Sequence, residues 1–470
     1  MLTPLALLVQ GYHPGVEDDG VYLSAIKKDL QPALYPYDSD FFALQLQATV
    51  FDKLVAASVR LTHLPLGWTV FAWQCAAIFL VLWGCWEISR RCFAEWYARW
   101  AGVALVAILL TLPVAGTALC LTDQHLHPRA LATAASLFAV AAVLDRRWLR
   151  AGLLLAIAFV IHPIMAAFAV SYCVFLAWKP CGEAWPAAMA AALPLNWMLE
   201  PTSEPWRQAA RTRDYFYFSG WHWYEWLGVA GPLILLWWFS RINHGEHSAR
   251  TRVASRLVYF GLFQLAVALP VMSFSALDRL KPWQPMRFLH LVYFLFVLIA
   301  GGLLGQSVLR TRLWRWALLF VPLGAVMFYA QRETFPATRH LELPGLAPKN
   351  KWVEGFNWIR QNTPRDSLFA LDPHYMSLPG EDFHSFRALA ERSALADYGK
   401  DAVVATQVPR LAPRWQREFQ AQLGWTKFQA PDFRRLKEIF GVSWVVAPAP
   451  GVPGLDCPYR NQALSVCRVQ

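Results

Sequence analysis

A chain of 470 residues that is 56% hydrophobic and only 16% charged is too apolar for one soluble domain and too long for one core. This is the composition of a polytopic membrane protein. The net charge of +11 could suit nucleic acid, but the basic residues cluster between apolar runs, where orientation in a membrane accounts for them, so no nucleic-acid partner is expected.

Met1 to Gln10 is apolar but short. Ten helical residues rise about 15 Å against a hydrocarbon core of about 30 Å, so the first helix is expected to be half-length or to start upstream. No basic n-region or small-residue cleavage site marks a signal peptide. An acidic loop follows, from Gly11 to Tyr22, with Glu17, Asp18 and Asp19 adjacent. Carboxylates crowded near a membrane must hold a cation, share a proton or act as a base. Asp18 or Asp19 could equally cap a helix running from about Gly20 to Leu30. A turn over Leu30–Asp40 and an amphipathic helix over Phe41–Leu61 complete a long interfacial loop.

Uncharged runs then occupy 67–86, 100–122, 130–144, 151–178, 184–199, 226–240, 257–277, 288–309 and 316–331. Trp68, Trp86, Trp100, Trp178 and Trp226 sit near their ends, where indole rings anchor at headgroup depth. The run 151–178 would rise about 42 Å as one helix, and His162-Pro163 interrupts it, so two short helices returning to the same side are expected. With that pairing, the segments 87–99, 145–150, 179–183, 241–256 and 310–315 share one side and hold 14 Lys/Arg in 46 residues. The opposite segments, 11–66, 123–129, 200–225 and 278–287, hold 11 in 99. The positive-inside rule then gives about eleven transmembrane helices, with the acidic loop and the C-terminus extracytoplasmic.

Beyond Gln331 the apolar runs shorten. The expected division is a transmembrane domain over 1–331, including the first loop 11–66, and a small extracytoplasmic α/β domain over 332–470. In the latter, Lys351–Asn362 reads as a helix burying Trp352, Phe356 and Ile359. Strands are expected at Ser367–Leu371, Ser443–Ala447 and Leu464–Val469, with helices near 402–424 and 431–440. Cys457 and Cys467 flank a hairpin, and either a disulfide or two free thiols fit them. The other six Cys lie in or beside spans, and no Cys-x-x-Cys or zinc-ligand spacing occurs.

Three clusters share the predicted outer side with the acidic loop. His125-Leu-His127-Pro-Arg129 could bind a metal through imidazole or a phosphate through guanidinium, or could simply face water while Arg129 anchors a helix end. Arg279, Lys281 and Arg287 gather before a span and could hold a phosphate headgroup or snorkel. His162 reads first as a structural hinge. In the terminal domain, Arg387, Glu391 and Arg392 read as surface ion pairs rather than catalytic groups.

With these residues laid out, the chain resembles the polytopic GT-C type of glycosyltransferase, which uses lipid-linked sugars, and more closely its bacterial relatives with an extracytoplasmic C-terminal domain. The likeness is carried by "EDDGVYLSAIKKDLQPALYPYDSDFF", "LHPRALA", "AIAFVIHP", "QPMR", "WIRQNTPRD" and "FRALAER". It implies an α-helical, GT-C-like multi-pass protein of the bacterial inner membrane that transfers a sugar, with inversion, from a polyprenyl phosphate to an envelope acceptor. On this sequence the base would be Asp18 or Asp19, and Arg287 would face the phosphate. Glu17, Arg129, Arg279 and Lys281 are further candidates for substrate binding. The sequence marks no certain cofactor, and a divalent metal held by His125 and His127 is an option. The alternative is a non-enzymatic lipid or polysaccharide transporter or an envelope assembly factor. Among predicted spans only His162 and His290 are ionisable, which ranks transport second.

Overall fold

The computed structural model describes residues 1–178, 201–242 and 248–470. It is mostly helical. Four helices are long and apolar enough to cross a membrane: Leu66–Cys92, Ala249–Ser273, Pro285–Leu309 and Leu313–Thr334. Four more apolar helices are shorter, Trp96–Ile108, Pro128–Leu144, Trp148–Ile161 and Pro163–Ala177. Among the described residues these four are the candidate spans, and the expected count of about eleven crossings is not confirmed. The expected span at 184–199 lies outside the described residues.

Two expectations break for local reasons. The run 100–122 is helical only to Ile108. Pro113 removes a backbone donor and disfavours helix at Leu112, and the chain turns instead into a small antiparallel hairpin, β1 (Pro113–Val114) with β2 (Leu119–Cys120). The helix expected over Phe41–Leu61 is interrupted by extended backbone at Thr49, leaving Ala43–Ala48 and Phe51–Thr62. In contrast, the run 151–178 divides at His162 into two helices that pack on one another and on Pro128–Leu144.

The centre of the bundle is the helix Pro285–Leu309, whose most apolar window is 78% buried, whereas that of Leu313–Thr334 is 0% buried. A side chain at Gly301 would meet the Ala101 carbonyl oxygen at 2.8 Å and Gly102 Cα at 2.9 Å. The two helices cross this closely only because both contribute glycine, the usual device where lipid gives no hydrophobic drive to association.

The terminal domain carries a five-stranded sheet in the order β4-β3-β5-β7-β6, from β3 (Leu368–Ala370), β4 (Ser393–Ala394), β5 (Trp444–Pro448), β6 (Asp456–Arg460) and β7 (Leu464–Arg468). The β3 pairings are parallel and those of β7 antiparallel. Helix Lys351–Asn362 is capped by Asn350, which accepts from the Trp352 and Val353 N–H groups, and it buries Trp352, Phe356 and Ile359 against Phe369, Trp444 and Val466. Cys457 and Cys467 are bonded across β6 and β7.

Buried side chains clamp this domain onto the first loop. Arg387 bonds Asp38 through Nε, and bonds both carboxylate oxygens of Asp401 at 2.8 and 2.7 Å. Lys27 reaches the Ala388 carbonyl at 2.7 Å and Glu391 at 2.6 Å, and Tyr35 donates to the Arg387 carbonyl at 2.9 Å. The sequence reading of Arg387, Glu391 and Arg392 as surface pairs is therefore corrected. Arg387 and Arg392 are buried, and Arg392 is spent on the Arg360 and Thr363 carbonyls. For Arg387 and Glu391, long-range pairing by residues of the first loop, invisible in the local pattern, makes the difference.

Removing Arg387 strands two buried acids, so Arg387→Ala is expected to cost about 3–5 kcal/mol. Arg434→Ala, exposed on the helix Ala430–Phe440, should stay within about 0.5 kcal/mol. Unfolding midpoints of the detergent-solubilised variants compare them, and equal midpoints would remove the clamp from this account.

Candidate functional site

The acidic loop is held by backbone pairing at both ends. Tyr12 N–H donates to the His340 carbonyl at 3.0 Å and its carbonyl accepts from Glu342 at 2.9 Å. Farther along, Glu17 N–H donates to Phe383 at 2.8 Å, and Ser385 N–H to Gly15 at 2.7 Å. Between these anchors the chain turns tightly, Gly15 at φ +86° and Glu17 at φ +45°, and the helix Asp19–Leu30 begins. Asp18 occupies its cap position, yet its side chain caps no N–H.

That carboxylate faces outward instead. Asp18 Oδ1 accepts from Lys400 Nζ at 2.9 Å, and Oδ2 lies 3.4 Å from His127 Nε2, with the side chain 36% exposed. His127 Nδ1 accepts the Arg129 N–H at 3.0 Å, which assigns the ring proton to Nε2, the nitrogen facing Asp18. Burial raises the Asp18 carboxyl, but Lys400, then His127 and Arg129, outweigh it and hold it well below the usual carboxylate range. Burial, reinforced by Arg129, lowers His127 to about 4, so its imidazole is neutral. Asp19 has the opposite environment. It is only 2% exposed, accepts the Gly15 N–H at 2.8 Å, and is raised to about 6 by burial.

Asp18 opens into a cavity of about 350 Å³. Glu17, Asp18 and His127 line it together with Arg213, Gln284 and Arg287, and the terminal domain contributes Tyr398 and Lys400. A second, apolar cavity of about 360 Å³ adjoins it, lined by Leu44, Ile161, Ile164, Trp283 and Pro409. Tyr22, Arg287 and Gln407 line both. Arg287 thus stands between an apolar groove and a polar chamber, and its buried Nε has no hydrogen-bond partner among the described residues.

The candidates from the sequence separate on this map. Glu17, Asp18, His127 and Arg287 meet in the polar chamber, and Arg279 joins Arg287 and His162 on the apolar one. Asp19 lines neither. Arg129 is buried and bound to both oxygens of Asp123 at 2.7 and 2.8 Å, so it acts behind Asp18 and His127. Lys281 turns away to Asp278 at 2.6 Å. The rings of His125 and His127 are 6.0 Å apart, and among the described residues no group of three or more His, Cys, Asp or Glu could hold a metal ion. Lys400 lies where a cation on Asp18 would sit, so the donor set does not fit a metal as it stands. Sequence reading missed Lys400, which is 382 residues from Asp18 and carries no local signal. It also missed Asp123, an acid beside the His125–Arg129 cluster that could have been found as the partner of Arg129.

A second buried cluster braces the loop. Glu342 Oε2 lies 3.1 Å from His13 Nδ1 and 3.4 Å from His384 Nε2, while His384 Nδ1 donates to the Glu381 carbonyl at 2.8 Å. With acceptors at both nitrogens, His384 is raised to about 9, its burial overcome by Glu342.

These features define a helical protein of membrane type with a two-chambered site beneath an α/β domain. The terminal domain matches, over residues 350–421, a family model described as a domain of unknown function (DUF6798). No curated protein matches the chain. Among solved structures, the chain is similar to the crystal structure of the Archaeoglobus fulgidus oligosaccharyltransferase complex with zinc and sulfate. The identity is 13% and the TM-score 0.43, and the match covers 95% of this chain and 67% of that one.

Because the pKa of His384 is raised on folding from its ordinary 6.5 to about 9, its contribution is complete below about pH 6.5 and is lost as the pH climbs through 9. His384→Gln should flatten the fall in unfolding midpoint between those values relative to the native chain. An unchanged slope would mean that the imidazolium is not held by Glu342.

Proposed function

We propose that the protein is a membrane glycosyltransferase that moves a sugar from a polyprenyl-phosphate-linked donor to an envelope acceptor, with Asp18 as the base. The observation that carries this reading is the double position of Arg287 on the apolar groove and on the polar chamber. A donor of this kind is apolar at one end and sugar-bearing at the other, with a phosphate at the junction, and Arg is suited to that phosphate.

In the transfer, an acceptor hydroxyl oxygen attacks the anomeric carbon and the bond from that carbon to the phosphate oxygen breaks. The electron pair leaves with the polyprenyl phosphate, whose growing charge Arg287 offsets. The hydroxyl proton passes to Asp18. Lys400 keeps Asp18 ionised and therefore able to accept it, at the expense of base strength, so the proton must move late, once the attacking oxygen has become acidic. Glu17 and Arg213 are near enough to the chamber to orient the acceptor, and no step requires a metal.

Asp18→Asn is expected to lower transfer of labelled sugar from a polyprenyl carrier by roughly 100-fold or more, while Asp19→Asn, outside the chamber, retains most of it. Full activity in Asp18→Asn would sink the proposed base. One observation favours the non-enzymatic alternative, namely that Asp18 is already paired with Lys400. That alternative predicts a copurifying polyprenyl lipid but no transfer in any condition.

The reading also requires the acidic loop, the segment before Pro285–Leu309 and the terminal domain to share the outer face of a bacterial inner membrane. Single cysteines at Asp40, Ser219 and Arg360, in a background free of native Cys, should react with an impermeant thiol reagent in intact cells, whereas one at Thr311 should be protected. The reverse pattern would separate the chambers from an extracytoplasmic acceptor.

A further inference from the structure

On the far side of the loop Ser275–Arg287 lies another cavity, of about 400 Å³, lined by Arg207, Arg211, Tyr217, Ser275, Asp278 and Lys281. Three cations face one acid here. Lys281 is buried, fixed 2.6 Å from Asp278 Oδ1 and 4.1 Å from the centroid of the Tyr217 ring. Its ammonium is therefore fixed in the wall of the cavity rather than swung out on a free stem as a snorkelling lysine's is. Arg207 is engaged by Glu204 at 2.8 Å. The Arg211 side chain has no hydrogen bond or ion pair among the described residues. The cavity so holds one unspent guanidinium beside a pre-positioned ammonium.

Its depth also has a physical reading. Met272 and Ser273, at the end of the candidate span Ala249–Ser273, contribute to the wall, and exposed Phe274 sits in the chain between lining residues Ser273 and Ser275, as aromatic side chains do at headgroup level. A narrow cleft shared by Lys281, Gln284 and Arg287 separates it from the Arg287 chambers. We propose that this cavity is a second anion site, which takes a phosphate mono- or diester. The planar donors of Arg211 and the ammonium of Lys281 bind its oxygens, and Tyr217 covers the charge. The proposal does not depend on sugar transfer.

The source of the phosphate is either an anionic lipid headgroup or a soluble phosphate ester, and one experiment separates them. The full chain is reconstituted in nanodiscs of phosphatidylcholine, with or without phosphatidylglycerol, and retained lipid is counted by mass spectrometry. Glycerol 3-phosphate binding is titrated in the discs lacking phosphatidylglycerol. Arg211 is exposed, so Arg211→Gln and Arg211→Glu should fold, and both should weaken whichever ligand binds by roughly tenfold, as loss of a charge-assisted hydrogen bond does. Enrichment of phosphatidylglycerol that depends on Arg211 identifies a lipid site, and saturable glycerol 3-phosphate binding with the same dependence identifies a soluble ester. Binding of neither probe, or binding abolished by Arg287→Gln but indifferent to Arg211→Glu, overturns the proposal.

Discussion

The buried guanidinium of Arg387 is the constraint on which the site depends. It is shared between Asp38 of the first loop and Asp401 of the terminal domain, and Asp397 lies 4.0 Å away. One cation cannot fully compensate three acids in a low-dielectric interior, and burial accordingly pushes Asp401 up to about 7. Such an arrangement is poor as a source of net stability but unforgiving in geometry. Asp401 opens the helix Asp401–Gln407, and the residue before it is Lys400. The clamp that docks the domain thus also sets where the ammonium beside Asp18 stands.

From that geometry follows the division between two adjacent acids. A one-residue step at a helix start turns Asp19 inward to the Gly15 N–H and Asp18 outward to Lys400 and His127. Burial raises the first to about 6, and Lys400 with its neighbouring cation and imidazole holds the second well below the usual carboxylate range. Divergent environments for neighbouring carboxyls are a recurrent way of assigning them different tasks. Here the outward acid faces the chamber, and the inward one tightens the turn that presents it.

Much of the local structure was legible in the sequence because it depends on short-range physics. The helix Lys351–Asn362, its buried face and its stop at Thr363-Pro364 follow from a period and a proline, and the break at His162-Pro163 follows from a missing donor. The hairpin at Pro113–Cys120 was masked by its apolar composition, since hydrophobicity alone does not distinguish a spanning helix from a buried turn. In the site, the acidic loop and Arg287 could be picked out as charges where charge is costly. Which of Asp18 and Asp19 faces the chamber could not, because it is decided by φ at Gly15 and Glu17 and by partners more than 300 positions away in the chain, such as Phe383 and Lys400.

The backbone pairing of the acidic loop has a consequence for how the chain is made. Its partners, His340, Glu342, Phe383 and Ser385, are made more than 300 positions after the loop itself, so the loop must wait, carboxylates solvated, while the helices assemble. Closing so long a separation is entropically expensive and slow. The chamber is therefore among the last features to form, and a chain cut short before Lys400 would insert its helices yet never enclose the acid at their edge.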